Sequence, residues 1–552
     1  MLEIRLQGAD GLQPVFQSGS NLFQGKRRAL GGWGGGQGQG QGQINRLRSH
    51  PPSIPHRPEG CKPSGPRVSA FQASGVLIYI SGMPAGYLLL FLGYLALLVA
   101  VSLVFSRRIK GLEDFFLASR NISAALLYFT VCAAWIGASS VLVTTDQAFR
   151  TGLSAFWLIG LPAVLTTLVF SLGLAGPIFR LPALTLADLA EVRYGRLVRH
   201  LVSVLIVWYM ILLASSQMVA VGNFLRIFLG RSYQFSLAAG AAVVLLYTTL
   251  GGFFIVAVTD RFQFFFLMAG LLGLFFWLLG TAQPASLPAL AAELGHKEYF
   301  RFFNGWQENA LIVLSFVLAW LISPIIWQRI QAARSVRAAR RGLLAASATF
   351  LVVYGIIVGI GMLFLPIYGR TRLAHPLLAE AVTGRLPLFL AALVFVAVVA
   401  AILSTMDTAI NTGAFTLSRD LVQRFFPASA GRGQLLVSRL ATLLVGGLAF
   451  LVATRFESIL KTLGLALEIM AEGLFVPGMA MLFIKKKMPW AGLFSLVLGG
   501  GFSLASFASA SGLVSLGLPA WPYSVPWGVG LSLAGYLAGV LLHSSVRSVV
   551  RR

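Results

Sequence analysis

Residues 400–411 read AAILSTMDTAIN and follow PLFLAALVFVAVVA, one of the most apolar runs in the chain. A Ser, two Thr, an Asp and an Asn fall within eight residues there. In hydrocarbon no water can satisfy such groups, so they must find partners inside the protein. On a helix, Ala401, Ser404, Thr405, Thr408 and Asn411 share one broad face, with Asp407 at its edge. That face must look into a bundle. Hard cations take several oxygen ligands, and hydroxyls and carbonyls supply them without a full charge. Ser404, Thr405 and a carbonyl freed near Ala401 make part of such a shell. The remainder calls for carbonyls from a broken helix, which is tolerated at membrane depth when buried or lining a cavity. CAAWIGASS at 132–140 offers one, because Gly137 and its small neighbours permit unwinding. The competing reading is structural. Ser and Thr often bond the carbonyl four residues back, and small residues line ordinary helix contacts in membranes.

Four acids stand in apolar surroundings. Asp407 could hold amide groups of an unwound helix, lie behind a bound ion, or ligate it. Glu468 and Glu472, in ALEIMAEGLFVPG, are four apart on one face. Two carboxylates so close do not both ionise cheaply. They could form a polar wall for an amine- or hydroxyl-bearing solute, reach the outer interface, or hold neighbouring helices. Asp260, in VTDRFQ, could govern ion release, gate by pairing with an Arg, or be a solvated interface charge.

The elements that position these residues are membrane helices. The 552-residue chain is 57% hydrophobic and 11% charged, where a soluble domain carries about a quarter charged residues. Hydropathy predicts an all-α integral membrane protein with thirteen spans. The leading one covers 87–105. The others cover 122–144, 154–179, 201–222, 234–252, 262–281, 309–328, 343–366, 388–416, 436–454, 462–484, 490–511 and 526–544. The net charge of +25 reads as positively charged cytoplasmic loops, not as a nucleic-acid surface. Beyond residue 82 the chain has 34 Lys and Arg, and 24 of them fall in the loops on one side. They include SRRIK, RYGRLVR, QRIQAARSVRAARR, IKKK and RSVVRR. This predicts an outside amino terminus, a cytoplasmic carboxyl terminus and a multi-pass place in the inner (plasma) membrane.

Residues 1–82, with GGWGGGQGQGQGQ and HPPSIPHRP, cannot build a core and read as a disordered leader. They carry nine Lys/Arg and no apolar signal-peptide core. Met83, which opens MPAGYLLLFLGYLALL, is the expected true start. Residues 83–545 form the transmembrane domain, and 546–552 a short basic tail. Cys61 and Cys132 are the only cysteines, so no disulfide framework or cysteine metal site is expected. No GxxxxGK[ST] is present, which argues against an ATP-driven pump. A membrane hydrolase would need a nucleophile–base constellation, and none is legible. Nothing points to an obligate protein partner beyond the bilayer.

Five stretches, in order, resemble one family. GLEDFFLASR at 111–120 follows the leading helix. TLADLAEVRYG at 185–195 is similar to its T-x-x-[DE]-x-x-x-x-R-Y-G element. YTTLGGFFIVAVTDRFQ at 247–263 resembles Y-T-x-x-G-G-x-x-x-V-x-x-T-D-x-x-Q. SPIIWQRIQAARSVRAARR at 323–341 resembles P-x-x-x-Q-R-x-x-A-A-x-x-x-x-A-R-R, and AAILSTMDTAINTGAFTLSRDL its eighth core helix. The chain is identified as resembling the sodium:solute symporter family. The resemblance implies a leucine-transporter-type fold, a 5+5 inverted repeat with one leading and two trailing helices and an unwound first core helix. It implies sodium-coupled symport of a small polar organic solute and no enzymatic activity. The sodium ligands would be the carbonyls of Ala133, Ile136 and Ala401 and the hydroxyls of Ser404 and Thr405. Solute would bind beside the unwound segment, near Gly137, Ala138, Ser139, Ser140, Gln217 and Trp320, with Glu468 and Glu472 as further candidates. Asp260 and Asp407 would serve the ion path or a gate.

Departures narrow the solute. Sugar-carrying relatives have a glutamate on the second core helix and a glutamine on the tenth. Here the second helix has no charge, and Glu468 falls about one position off that glutamine. Proline-carrying relatives place an aspartate where this chain has Trp135, which is expected to pack. Two other readings remain: a proton-coupled carrier using Glu468, Glu472 or Asp407, and a membrane solute sensor acting through a separate partner.

Overall fold

The computed structural model describes residues 85–106, 120–181, 183, 185–423, 432–456, 458–510 and 514–550. The leader, Met83, residues 111–119 of the GLEDFFLASR stretch and the last two residues of the basic tail lie outside them. Among the described residues the protein is all-helical, with nine helices long and apolar enough to cross a membrane. A bent pair makes up to ten, and Leu89–Val104, Ala124–Trp135 and Tyr233–Thr249 are shorter apolar helices.

In chain order the helices are α1 (Ala85–Ser106), α2 (Ala124–Trp135), α3 (Thr144–Thr151), α4 (Gly160–Val169), α5 (Ala175–Phe179) and α6 (Leu186–Tyr194). Next come α7 (Arg196–Leu229), α8 (Tyr233–Thr281), α9 (Leu287–Glu293), α10 (Trp306–Leu321), α11 (Pro324–Ala332), α12 (Val336–Leu363) and α13 (Leu365–Tyr368). The last are α14 (Leu377–Gly384), α15 (Leu388–Phe415), α16 (Arg432–Ala453), α17 (Ile459–Glu468), α18 (Phe475–Phe483), α19 (Pro489–Ala510) and α20 (Val525–Val550). Hydroxyl caps start several of them. Ser123 accepts from the Leu126 amide at 3.2 Å, Thr185 from Asp188 at 3.0 Å and Ser335 from Ala338 at 3.1 Å. Each satisfies a donor the first helical turn leaves free.

The interior is built around α7, α8 and α15, which pack against one another. Every residue of α15 from Val394 to Phe415 is buried. The Ser, Thr and Asp of the 400–411 stretch therefore face protein, as a polar stripe in a membrane helix must.

Two predicted boundaries differ. Residues 253–261 read as a loop between two spans, yet they are helical: α8 is two helices, Tyr233–Thr249 and Gly252–Thr281, that meet at Gly252 with φ 55° and ψ −168°, so the second span starts earlier than predicted. That backbone conformation is open to glycine, so the chain leaves one helix and enters the next within a residue or two. Gly252→Ala should cost about 1–3 kcal/mol of stability, read as a lowered unfolding temperature in detergent. The predicted span 309–328 is instead broken after Leu321 and bent by 43° into α11. Pro324 lacks the amide needed to continue the helix and suits the first turn of a new one. The Trp327 indole donates to the freed Leu321 carbonyl at 3.0 Å. The far end of α11 is tied to the approach to α2: the Ile122 amide donates to the Ala332 carbonyl at 3.0 Å, and the Arg334 amide to the Ile122 carbonyl at 2.9 Å.

Candidate functional site

Helix α2 stops where small residues allow it. Ile136 takes φ −92° and ψ 74°, and the helix resumes as a wide turn over Ser139–Val143 that leads into α3. Several polar groups at the break have partners. The Trp135 carbonyl accepts from the Ser140 hydroxyl at 3.1 Å and from the Tyr354 hydroxyl at 3.4 Å. Ser140 and Tyr354 share a bond of 2.7 Å. The Ala138 amide donates to Gln217 Oε1 at 2.9 Å, and Gln217 Nε2 donates to Ser216 Oγ at 3.0 Å. The free amide therefore goes to Gln217 and not to Asp407.

Helix α15 meets this break directly. Ser404 Oγ donates to the Ala133 carbonyl at 2.9 Å and to the Ala401 carbonyl at 3.0 Å. Thr405 Oγ1 donates to the Ala401 carbonyl at 3.3 Å. A Cβ on Gly137 would lie 2.6 Å from Thr405 Oγ1 and 2.9 Å from Gln217 Oε1, so only a residue without one lets the two helices meet. Ile136 is buried at the break itself. Ser139 is buried beside it, and its carbonyl accepts from Thr144 Oγ1 at 3.2 Å. Trp320 packs on Trp135 with ring centroids 4.5 Å apart, and Phe350 lies near-parallel to Trp135 at 6.0 Å. Trp135 packs, as expected.

The structure thus brings together Ala133, Ile136, Gly137, Ser139, Ser140, Gln217, Trp320, Ala401, Ser404 and Thr405. Backbone carbonyls, hydroxyls and an amide oxygen converge there without a formal charge. Such a set can ligate a hard monovalent cation and can hydrogen-bond a polar solute.

A second polar cluster lies between α2, α8, α11 and α15. Thr130 Oγ1 donates to Asp260 Oδ2. Arg329 Nη2 lies 3.4 Å from that same oxygen, 2.9 Å from Thr130 Oγ1 and 3.1 Å from Thr408 Oγ1. Arg329 Nη1 donates to the Ile325 carbonyl at 3.3 Å, and the guanidinium sits 5.4 Å from the Phe253 ring centroid. One cation therefore bridges four helices. Asp260 is 0% exposed, so the reading of a solvated interface charge is corrected. Arg329, counted among cytoplasmic loop charges from QRIQAARS, is 1% exposed. Sequence reasoning missed it and Thr130. An Arg just past a proline break in an apolar run was the available signal. Asp407 accepts from the Tyr247 hydroxyl at 2.8 Å, and its Oδ1 has no hydrogen-bond partner among the described residues.

Glu468 and Glu472 point elsewhere. Glu468 Oε1 accepts from the Ser524 hydroxyl at 2.7 Å, at the approach to α20. Glu472 packs against Gly528 of α20, and both its oxygens lack a hydrogen-bond partner among the described residues. The structure does not bring the pair to the helix break. The wide turn over Ile469–Leu474 that carries Glu472 packs against α19 and α20, which a helical repeat in the sequence does not reveal.

The sodium:solute symporter family model matches residues 115–499. A sodium/glucose cotransporter of Vibrio parahaemolyticus is 24% identical over 449 residues, covering 72% of this chain and 79% of that protein. A high-affinity choline transporter of Drosophila melanogaster is 24% identical over 364 residues, covering 63% of this chain and 58% of that protein. Among solved structures, a Na+-coupled sialic acid symporter in a substrate-bound outward-open state superposes with a TM-score of 0.71. Identity is 18%, over 82% of this chain and 97% of that one. The protein shares that fold, and with a family match over most of its length and several membrane-spanning helices it belongs to the sodium:solute symporter family.

Proposed function

We propose that this protein is a secondary active transporter that couples inward sodium movement to uptake of a small polar organic solute by alternating access. The observation that carries this reading is the Ser404 hydroxyl set 2.9 Å from the Ala133 carbonyl, beside the break at Ile136. The sodium ligands are the carbonyls of Ala133, Ile136 and Ala401 and the hydroxyls of Ser404 and Thr405. When the ion enters, both hydroxyls turn their protons away and offer lone pairs. The ion then replaces the Ser404 link between α2 and α15 with a stronger one and orders the break. Solute binds against Gly137, Ser139, Ser140, Gln217 and Trp320. By linkage each ligand tightens the other equally. An inside-negative potential contributes about 2.3 kcal/mol per charge per 100 mV.

The Asp260–Arg329–Thr130–Thr408 cluster is read as the closure on the far side of the site. Opening requires Arg329 to leave Thr408 and Asp260 together. Thirteen passes follow if α8 is two spans that meet at Gly252, Gly152 divides Ser139–Phe179, and the first part of that segment continues α2. They fit a 5+5 repeat with one leading and two trailing helices. The charge bias places the amino terminus outside and the carboxyl terminus in the cytoplasm. Nothing in this cycle requires covalent chemistry.

The test is uptake into proteoliposomes with external sodium replaced by N-methylglucamine at fixed pH. Solutes come from a thermal-shift screen of amino acids, carboxylates, vitamins, amines and sugars, with and without sodium. Uptake should fall to background without sodium, and unchanged uptake removes the sodium reading. Proton coupling is the second reading, drawn from the buried carboxylates of Asp407 and Glu472, whose oxygens Oδ1, Oε1 and Oε2 have no hydrogen-bond partner among the described residues. It predicts instead that uptake follows the pH gradient with sodium absent.

A further inference from the structure

Glu468 opens onto a cavity that shares no lining residue with the helix break. It lies between α7, α16, α17 and α19 and measures about 70 Å³. Its walls include Trp208, Phe456, Ser503, Leu504 and Phe507. Trp208 is 38% exposed and Leu504 52%, on helices that present apolar side chains outward, so the cavity opens sideways toward lipid. Glu468 is 2% exposed and forms its one acidic wall.

The charge at this place is acidic. Among the described residues neither Glu468 nor Glu472 has an ion-pair partner, and no basic side chain lines the cavity. Glu468 has the Ser524 hydroxyl and the Trp521 backbone for neighbours. One turn further along, Glu472 is buried near the same Ser524. Carboxylates inside a membrane are ordinarily paired with a cation. A buried carboxylate at the end of an apolar, lipid-facing cavity complements a small cation carried on an apolar chain. Aromatic faces attract such a cation.

We propose that this groove binds an amphipathic amine, its protonated nitrogen against Glu468 and its alkyl chain running out past Trp208 and Leu504. The cavity holds the ammonium and its first methylenes, and the chain remains in lipid. A lipid headgroup amine fits less well. Glu468 lies nine residues into α17, about 13 Å along a helix axis, while headgroups stay outside a hydrocarbon core about 30 Å thick. The groove thus gives the protein a lateral site for lipophilic amines, separate from the solute path.

The experiment uses the full chain in phosphatidylglycerol vesicles and two photoreactive probes, decylamine and decanol carrying the same diazirine. Labelled residues are mapped by mass spectrometry. Decylamine should label the segments around Trp208, Phe456 and Phe507 about tenfold more than decanol, the factor expected of a hydrogen bond to a charged group. Glu468→Gln keeps an acceptor for Ser524 and should bring the two probes level. Trp208→Ala, on the lipid face, should lower decylamine labelling about threefold and leave decanol unchanged. Equal labelling by both probes in the unaltered chain, or an amine preference that survives Glu468→Gln, overturns the proposal. If Glu468→Gln does not fold, an amine preference unchanged in Trp208→Ala overturns it. Vesicles that also contain phosphatidylethanolamine should leave the labelling unchanged, and its loss there would overturn a free amine as the occupant.

Discussion

Ser404→Ala and Thr405→Ala should each raise the sodium concentration for half-maximal uptake by about tenfold, and together by far more, because each deletes an oxygen that bonds a charged ligand. The measurement is a sodium titration of uptake at constant ionic strength, paired with the unfolding temperature with and without sodium. The structural alternative makes a different prediction. In it, Ser404 only ties α15 to the Ala133 carbonyl and Thr405 only bonds back to Ala401. Each Ala substitution then costs about 1 kcal/mol of stability, the worth of one neutral hydrogen bond. The sodium midpoint would stay where it was. Both substitutions are small, and Gly137 still allows the helices to meet. Loss of sodium response without loss of folding therefore speaks for ligation.

Arg329→Met should destabilise the protein by about 3–5 kcal/mol, because it leaves the Asp260 carboxylate buried without its cation. Asp260→Asn should also cost stability, since it leaves Arg329 buried with hydroxyls, the Ile325 carbonyl and the Phe253 ring but no carboxylate in contact. The double substitution should be less destabilised than Arg329→Met alone. Removing both charges removes both desolvation penalties. Chemical unfolding of the three variants in detergent completes the cycle, and losses that simply add would show that the two residues do not act as a pair. Transport adds a second readout. With the bridge from α11 to α15 gone, the closure proposed at this cluster should leak, so solute should equilibrate faster across vesicles without a sodium gradient. A purely structural pair would change stability and leave that leak untouched.

Much of this was legible in the chain itself. A membrane helix that carries Ser404, Thr405, Asp407, Thr408 and Asn411 must bury that face, because hydrocarbon offers no other partner. Gly137 within CAAWIGASS marks where a helix can open, since small residues tolerate a break and a close neighbour. Both are local consequences of residue type and spacing. The junction of two helices at Gly252 belongs to the same class, although a glycine pair does not by itself say how few residues the chain needs to pass from one helix to the next.

Tertiary structure alone decided which buried charges meet. Arg329 sits among charges that the sequence reads as an aqueous loop. Only the bend before Pro324 turns it inward onto Asp260, which is 69 residues away in the chain. Glu468 and Glu472 share a helix face, but a face has no preferred neighbour until the helices pack, and packing gave that face to Ser524 and Gly528 instead of to the break. Hydropathy and spacing act along one helix, whereas charge pairing depends on the azimuth and tilt of several at once. The chain could therefore announce that these acids needed partners, and the assembled bundle chose them.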